Sequence, residues 1–76
     1  MYAVIHNDTG NPQRAGYEAW GTIISKHRTL GKAYEAFRKR NRHIFDRSYA
    51  EQMGMLNAGT FDEIVKINSK NIVMEE

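Results

Sequence analysis

Residues 29–45, Thr29-Leu30-Gly31-Lys32-Ala33-Tyr34-Glu35-Ala36-Phe37-Arg38-Lys39-Arg40-Asn41-Arg42-His43-Ile44-Phe45, decide the fold of this chain. Placed at about 100° per residue, Leu30, Ala33, Tyr34, Phe37, Ile44 and Phe45 fall in one stripe about 120° wide. That spacing predicts an amphipathic helix with one face in a core. Thr29 supplies its N-cap, with a hydroxyl that can accept from an orphan amide of the first turn. Asn41 lies inside the stripe. Either the helix ends there with a left-handed asparagine cap, or a buried amide has to find partners. We expect a continuous or slightly broken helix to about Phe45.

Toward the N-terminus, Tyr2-Ala3-Val4-Ile5-His6 is short and rich in β-formers, and Asn7-Asp8-Thr9-Gly10-Asn11-Pro12 is turn chemistry. Tyr17 to Ser25 again reads as extended, with Trp20, Thr22 and Ile24 on one face of the pleat and Tyr17, Ala19 and Ile23 on the other. The two strands can pair as a hairpin across a loop of about ten residues. That is longer than the usual two to five, so the loop either has a task or moves.

Toward the C-terminus, Ser48-Tyr49-Ala50-Glu51 has capping-box spacing and predicts a short helix over 48–56, broken by Asn57-Ala58-Gly59. Glu63-Ile64-Val65-Lys66-Ile67 predicts a strand because β-branched residues dominate it. Asn68-Ser69-Lys70-Asn71 turns the chain into a last short strand, Ile72-Val73-Met74. Thr60-Phe61-Asp62-Glu63 also has capping-box spacing, so a helix there is the competing reading. The expected class is α+β: a small antiparallel sheet packed on one main helix, in the order β-β-α-(α)-β-(β). The second sheet face is then left for solvent or for a partner.

A chain of 76 residues supports one core, so residues 1–76 are expected to form a single domain. The absence of cysteine excludes disulfides and thiolate metal sites and makes the cytoplasm the default compartment. No run of apolar residues reaches membrane-span length, and Met1-Tyr2-Ala3-Val4 does not read as a secretory leader. We therefore expect no membrane association, with a homo-oligomer as one way of bracing so small a core.

Charge is uneven along the chain. Residues 1–25 carry a net −1 and residues 48–76 a net −3, whereas residues 26–47 set eight cations against Glu35 and Asp46, a net +6. Lys32, Lys39, Arg42 and His43 lie away from the apolar stripe, flanked by Arg38, Arg40 and Arg47. Only Glu35 interrupts the cations of the helix, so the face lacks the alternating signs of a salt-bridged surface. Arginine outnumbers lysine there, and its fork suits bidentate phosphate or carboxylate recognition. A solvated helix face is the plain alternative. The expected binding residues are Lys26, Arg28, Lys32, Arg38, Lys39, Arg42, His43 and Arg47.

Ser25-Lys26-His27-Arg28-Thr29 joins strand to helix. It reads either as an anion site at a helix N-terminus or simply as a polar junction with a cap. A nucleophilic Ser25 with His27 as base would need an orienting acid and an oxyanion site. No catalytic residue is expected. His6, His27 and His43 lack zinc-motif spacing, and neither metal nor cofactor is expected. Trp20, with Tyr17 and Tyr2, offers a platform for stacking bases, although core packing is the more frequent fate of a lone strand tryptophan.

The stretch Trp20-Gly21-Thr22-Ile23-Ile24-Ser25-Lys26-His27-Arg28-Thr29-Leu30, running into an alanine-containing helix, resembles a pattern in many short uncharacterised bacterial and phage proteins. Gly31 and Lys32 depart from the acidic and alanine residues more usual at such a helix start. The resemblance implies a phage or mobile-element origin without implying an activity; small phage proteins of this kind include inhibitors of host defence such as anti-CRISPR proteins. The functional expectation is a non-enzymatic binding module whose basic helix engages nucleic acid or the acidic surface of a nucleic-acid-handling protein. The alternatives are a protein-directed inhibitor of a defence nuclease complex and a self-assembling small subunit.

Overall fold

The computed structural model describes residues 1–8, 10–46, 48 and 61–75. Its elements are β1 (Tyr2–Asn7), β2 (Thr22–His27), α1 (Leu30–Arg40), α2 (Arg42–Phe45) and β3 (Phe61–Lys66). The strands form one sheet in the order β2-β1-β3, and β1 pairs antiparallel with both neighbours. The α+β class and the element order are as the sequence pattern predicts. The helix expected over 48–56, apart from its capping residue Ser48, and the break at residues 57–59 fall outside the described residues.

Strand β1 is flanked on both edges, and both of its faces are covered as well. Ala3, Val4, Ile5 and Asn7 are all fully buried. The register fixes which side chains share a face: Val4 lies opposite Ser25 and Ile64, and Ala3 opposite Lys26 and Val65. Ile5 then pairs with Ile23, which leaves Ile24 as the unpaired residue of a bulge in β2. The face carrying Val4, Ile64 and Asp62 receives α1, whose buried residue is the small Ala33.

The opposite face is where the structure departs from expectation. It is not left open. Ala3, Ile5, Val65, Ile67 and Val73 form its core, with Ala19 and Ile23 packed against them. The cover comes from two irregular segments, residues 13–20 and 67–74, which bond to each other and to the sheet. Gly16 N–H donates to Val73 O at 2.7 Å, Val73 N–H to Tyr17 O at 2.7 Å, Ala19 N–H to Asn71 O at 3.0 Å and Met74 N–H to Lys66 O at 2.7 Å. The long connection between β1 and β2 therefore works as a lid on the core. Residues 17–21 are not strand, since β2 begins only at Thr22 after a turn at Gly21. Gly21 has φ +82°, and a Cβ there would stand 1.9 Å from the carbonyl oxygen of His6. Only glycine fits that approach.

The predicted turn at residues 68–71 forms. The Asn68 side-chain oxygen accepts from Lys70 N–H and Ile72 N–H, and Asn71 adopts φ +62°, a region asparagine tolerates. The expected strand at Ile72-Val73-Met74 is reduced to two bridges, Glu18 with Ile72 and Ile67 with Val73. Strand β3 starts at Phe61, two residues earlier than expected, and the competing helix there does not form. Its backbone is committed to β1 from Asn7↔Phe61 to Tyr2↔Lys66.

Candidate basic face and its surroundings

Thr29 caps α1 as the sequence predicts: its hydroxyl accepts from Lys32 N–H at 3.2 Å. The helix breaks at Asn41 and resumes as the single turn of α2. Asn41 is 6% exposed and is not left-handed, with φ −103°. Of the two readings of this residue, the buried amide is the one that holds. Its Nδ2 donates to Phe37 O at 2.8 Å and to Asp62 Oδ2 at 2.9 Å.

Asp62 is the hub beneath the helix. Its side chain is 4% exposed, its Oδ2 accepts from Arg40 Nε at 2.6 Å as well as from Asn41, and its Oδ1 lies 2.8 Å from His6 Nδ1. Burial pushes its carboxyl upward, but the hydrogen bonds from His6, Asn41 and Arg40, together with the Arg40 charge, outweigh that and hold it below the ordinary aspartate range. One cation of the basic stretch, Arg40, is thus spent on holding helix to sheet. The other ring nitrogen of His6 faces Asp8 at 3.1 Å. With a carboxylate on each side of its ring, His6 bridges two acids. Among the described residues no group of three His, Asp or Glu side chains forms a metal site.

The eight expected binding residues divide. Lys32 and Lys39, two turns apart on α1, share a face; Lys32 makes an exposed ion pair with Glu35 at 3.5 Å. Arg38 lies over the ring of Phe45 at 5.3 Å from its centroid. Arg28, Lys39, Arg42 and His43 are exposed, with no ion pair to a described carboxylate. Lys26 belongs elsewhere: it shares a face with Ala3, on the side of the sheet away from α1, and donates to Asn71 Oδ1 at 2.9 Å. Arg47 lies outside the described residues. Arg38 and Lys39 also sit in the last turn of α1, where cations favour the helix dipole.

The apolar stripe of the helix is only partly a core stripe. Ala33 is buried and Phe37 half-buried, while Leu30 and Tyr34 are each 46% exposed and Phe45 38%. Phe37 stacks with Tyr34 at 6.4 Å between centroids and meets Phe45 edge-on at 5.8 Å. Aromatic surface therefore adjoins the cations, a feature hydrophobic periodicity assigned to the interior. The available signal was Ala33: a small residue marks the close approach to the sheet, and the large ones flank it.

No protein-family model, curated protein or solved structure matches this chain. The chemistry of its surface is therefore read from the residues alone. Ser25 Oγ and His27 Nε2 are 2.7 Å apart, but they lie two positions apart on one strand, and no described carboxylate pairs with His27. Among the described residues no orienting acid of the kind a hydrolase uses stands beside the pair. Trp20 is 51% exposed and Tyr17 60%, so core packing is not the fate of the tryptophan. Tyr2 lies apart from them, beneath the Lys66 ammonium at 5.9 Å. No described helix is long and apolar enough to cross a membrane.

Proposed function

We propose that this chain is a non-enzymatic binding module that engages nucleic-acid phosphates through the exposed cations of α1 and α2. The observation that carries the reading is the division of charge. Asp62 takes Arg40 and Glu35 takes Lys32, while Arg28, Lys39, Arg42 and His43 make no ion pair with any described carboxylate. Arg28, Lys39 and Arg42, exposed and without such a pair, are available to an external polyanion. The exposed rings of Tyr34 and Phe45 beside them offer surface for sugar or base contacts.

The test is the salt dependence of duplex binding combined with charge reversal. Log affinity should fall with log salt at about −0.9 per phosphate neutralised, and removing one contact should flatten the slope by about one unit. Reversing Lys39 and Arg42 to Glu should abolish binding while stability moves by only about 0.5 kcal/mol, and Lys70→Glu should do little. Retention of full binding by the double reversal would reduce the basic face to a solvated one.

A second reading is supported by Leu30, Tyr34 and Phe45, an exposed apolar strip with Arg38 over one of its rings. Aromatic residues with arginine are the composition of protein interface centres. The module would then act as an inhibitor of a nuclease complex in the manner of an anti-CRISPR protein. That reading predicts a stable complex with one protein and little affinity for bare duplex.

A further inference from the structure

The lid segment over the sheet carries a feature that neither the core nor the basic helix uses. Asn11, Pro12, Gln13, Arg14, Tyr17 and Trp20 line a depression of about 410 Å³, within the size range of small-ligand sites. Its backbone is tied down on several sides. Gln13 N–H donates to Glu63 Oε1 at 3.1 Å, Tyr17 N–H to Arg14 O at 3.4 Å, and Gly16 and Tyr17 bond to Val73. On this fixed frame the rings of Tyr17 and Trp20 stand more than half exposed. A hydrophobic pair that the core does not take up is being held out to solvent.

The polar groups of the depression specify what suits it. The side-chain oxygen of Gln13 accepts from Trp20 N–H at 3.1 Å, which fixes the amide orientation because a backbone N–H must meet oxygen. The Nε2 group of Gln13 is itself buried, so the depression presents its rings and its cation to a ligand. Arg14 is exposed and makes no ion pair with a described carboxylate, and no acid lines the depression. Two π-faces and one cation together suit a planar ring attached to an anion.

We propose that the Gln13, Arg14, Tyr17 and Trp20 cup binds a nucleoside phosphate, with the base stacked on the aromatic rings and the phosphate paired with Arg14. The ligand is either a free nucleotide or one unit of a single strand. The site is independent of the α1 and α2 cations, since it lies on the opposite side of the sheet.

Trp20 is the only tryptophan of the chain, so its fluorescence reports the cup directly. The experiment titrates the full chain with thymidine monophosphate, with hexathymidylate and with a hexaproline peptide. Saturable quenching by the nucleotides and none by hexaproline is expected. Affinity for the strand well above that for the monomer identifies a strand as the source, and equal affinities identify the free nucleotide. Tyr17→Ala and Arg14→Ala, both exposed positions whose folding circular dichroism checks, should each weaken binding by at least about 5-fold. The Lys39→Glu, Arg42→Glu double variant should bind the monophosphate within about 2-fold of wild type, because the sites are far apart. Absence of saturable nucleotide quenching, equal quenching by hexaproline, or unchanged affinity in both cup variants overturns the proposal. Loss of duplex binding in the helix variant with the cup intact, or the reverse, separates this site from the basic face.

Discussion

Replacing Asp62 with alanine should loosen the helix from the sheet, and the structure sets the size of the effect. The substitution removes three charge-assisted contacts, at 2.6 Å from Arg40, 2.9 Å from Asn41 and 2.8 Å from His6. Each such bond contributes about 1.5–3 kcal/mol where the alternative is burial without a partner. Here none of the donors is stranded. Arg40 is 44% and His6 34% exposed at the side chain, His6 keeps Asp8, and Asn41 keeps Phe37 O. The expected loss is therefore about 2–3 kcal/mol, below the 3–5 that follows when a buried charge is abandoned. A domain of this size holds about 4–11 kcal/mol in total. With a urea slope of about 1 kcal/mol per molar, the unfolding midpoint read by far-ultraviolet circular dichroism should drop by about 2 M or more. Asn41→Ala should follow at about 2 kcal/mol, and Arg40→Ala, a half-exposed partner screened by solvent, at about 0.5–1. A midpoint for Asp62→Ala within about 0.5 M of wild type would refute the hub and leave helix docking to apolar packing alone.

The same carboxylate sets an acid limit: held below the usual range when folded, it contributes stability that is complete above the unfolded value of about 4 and is lost as pH falls through the folded one. Thermal melts between pH 2 and 7 should show that limb in wild type and lose part of it in Asp62→Ala. Gly21→Ala should cost about 3 kcal/mol or more, because its Cβ meets the His6 carbonyl oxygen, whereas Gly16→Ala, equally left-handed but in open space, should cost only about 1–2 kcal/mol of backbone strain in the same urea assay. Phe37→Ala should cost about 2 kcal/mol, less than the 3–5 of a fully buried ring, because Phe37 is only half-buried. Thr29→Ala should remove about 1 kcal/mol by leaving Lys32 N–H uncapped.

What sequence pattern made legible was local. The Thr29 cap, the extent of α1, the strand character of residues 63–66 and the turn at Asn68 all follow from spacing and residue type within a few positions. The lid was not legible, since backbone bonds such as Gly16 to Val73 link segments with no periodicity of their own. The fate of Asn41 depended on Asp62, twenty-one positions away, and a helix wheel carries no information about that partner. Charge counting grouped Arg40 with the other cations and placed Lys26 among them. The fold spends the first on Asp62 and carries the second to the other side of the sheet. Trp20 was ambiguous because alternation along a strand says nothing once the strand starts two residues later.

The central position of β1 has a consequence for how the molecule comes into being. The strand that must be flanked on both edges is the first of the described elements to be synthesised, and one of its two neighbours, β3, is the last strand. Pairing β1 with β2 closes a modest loop. Pairing Tyr2 with Lys66 closes nearly the whole chain, at an entropic cost that rises slowly with length but is met before any compensating contact forms. Until residues 61–74 arrive, Ala3 and Ile5 have neither their second neighbour strand nor the Val73 side of the core above them. Until then one edge of an apolar strand stays unprotected. Pairing of β3 is the long-range step of this topology, and the β1 edge is open to aggregation until it takes place.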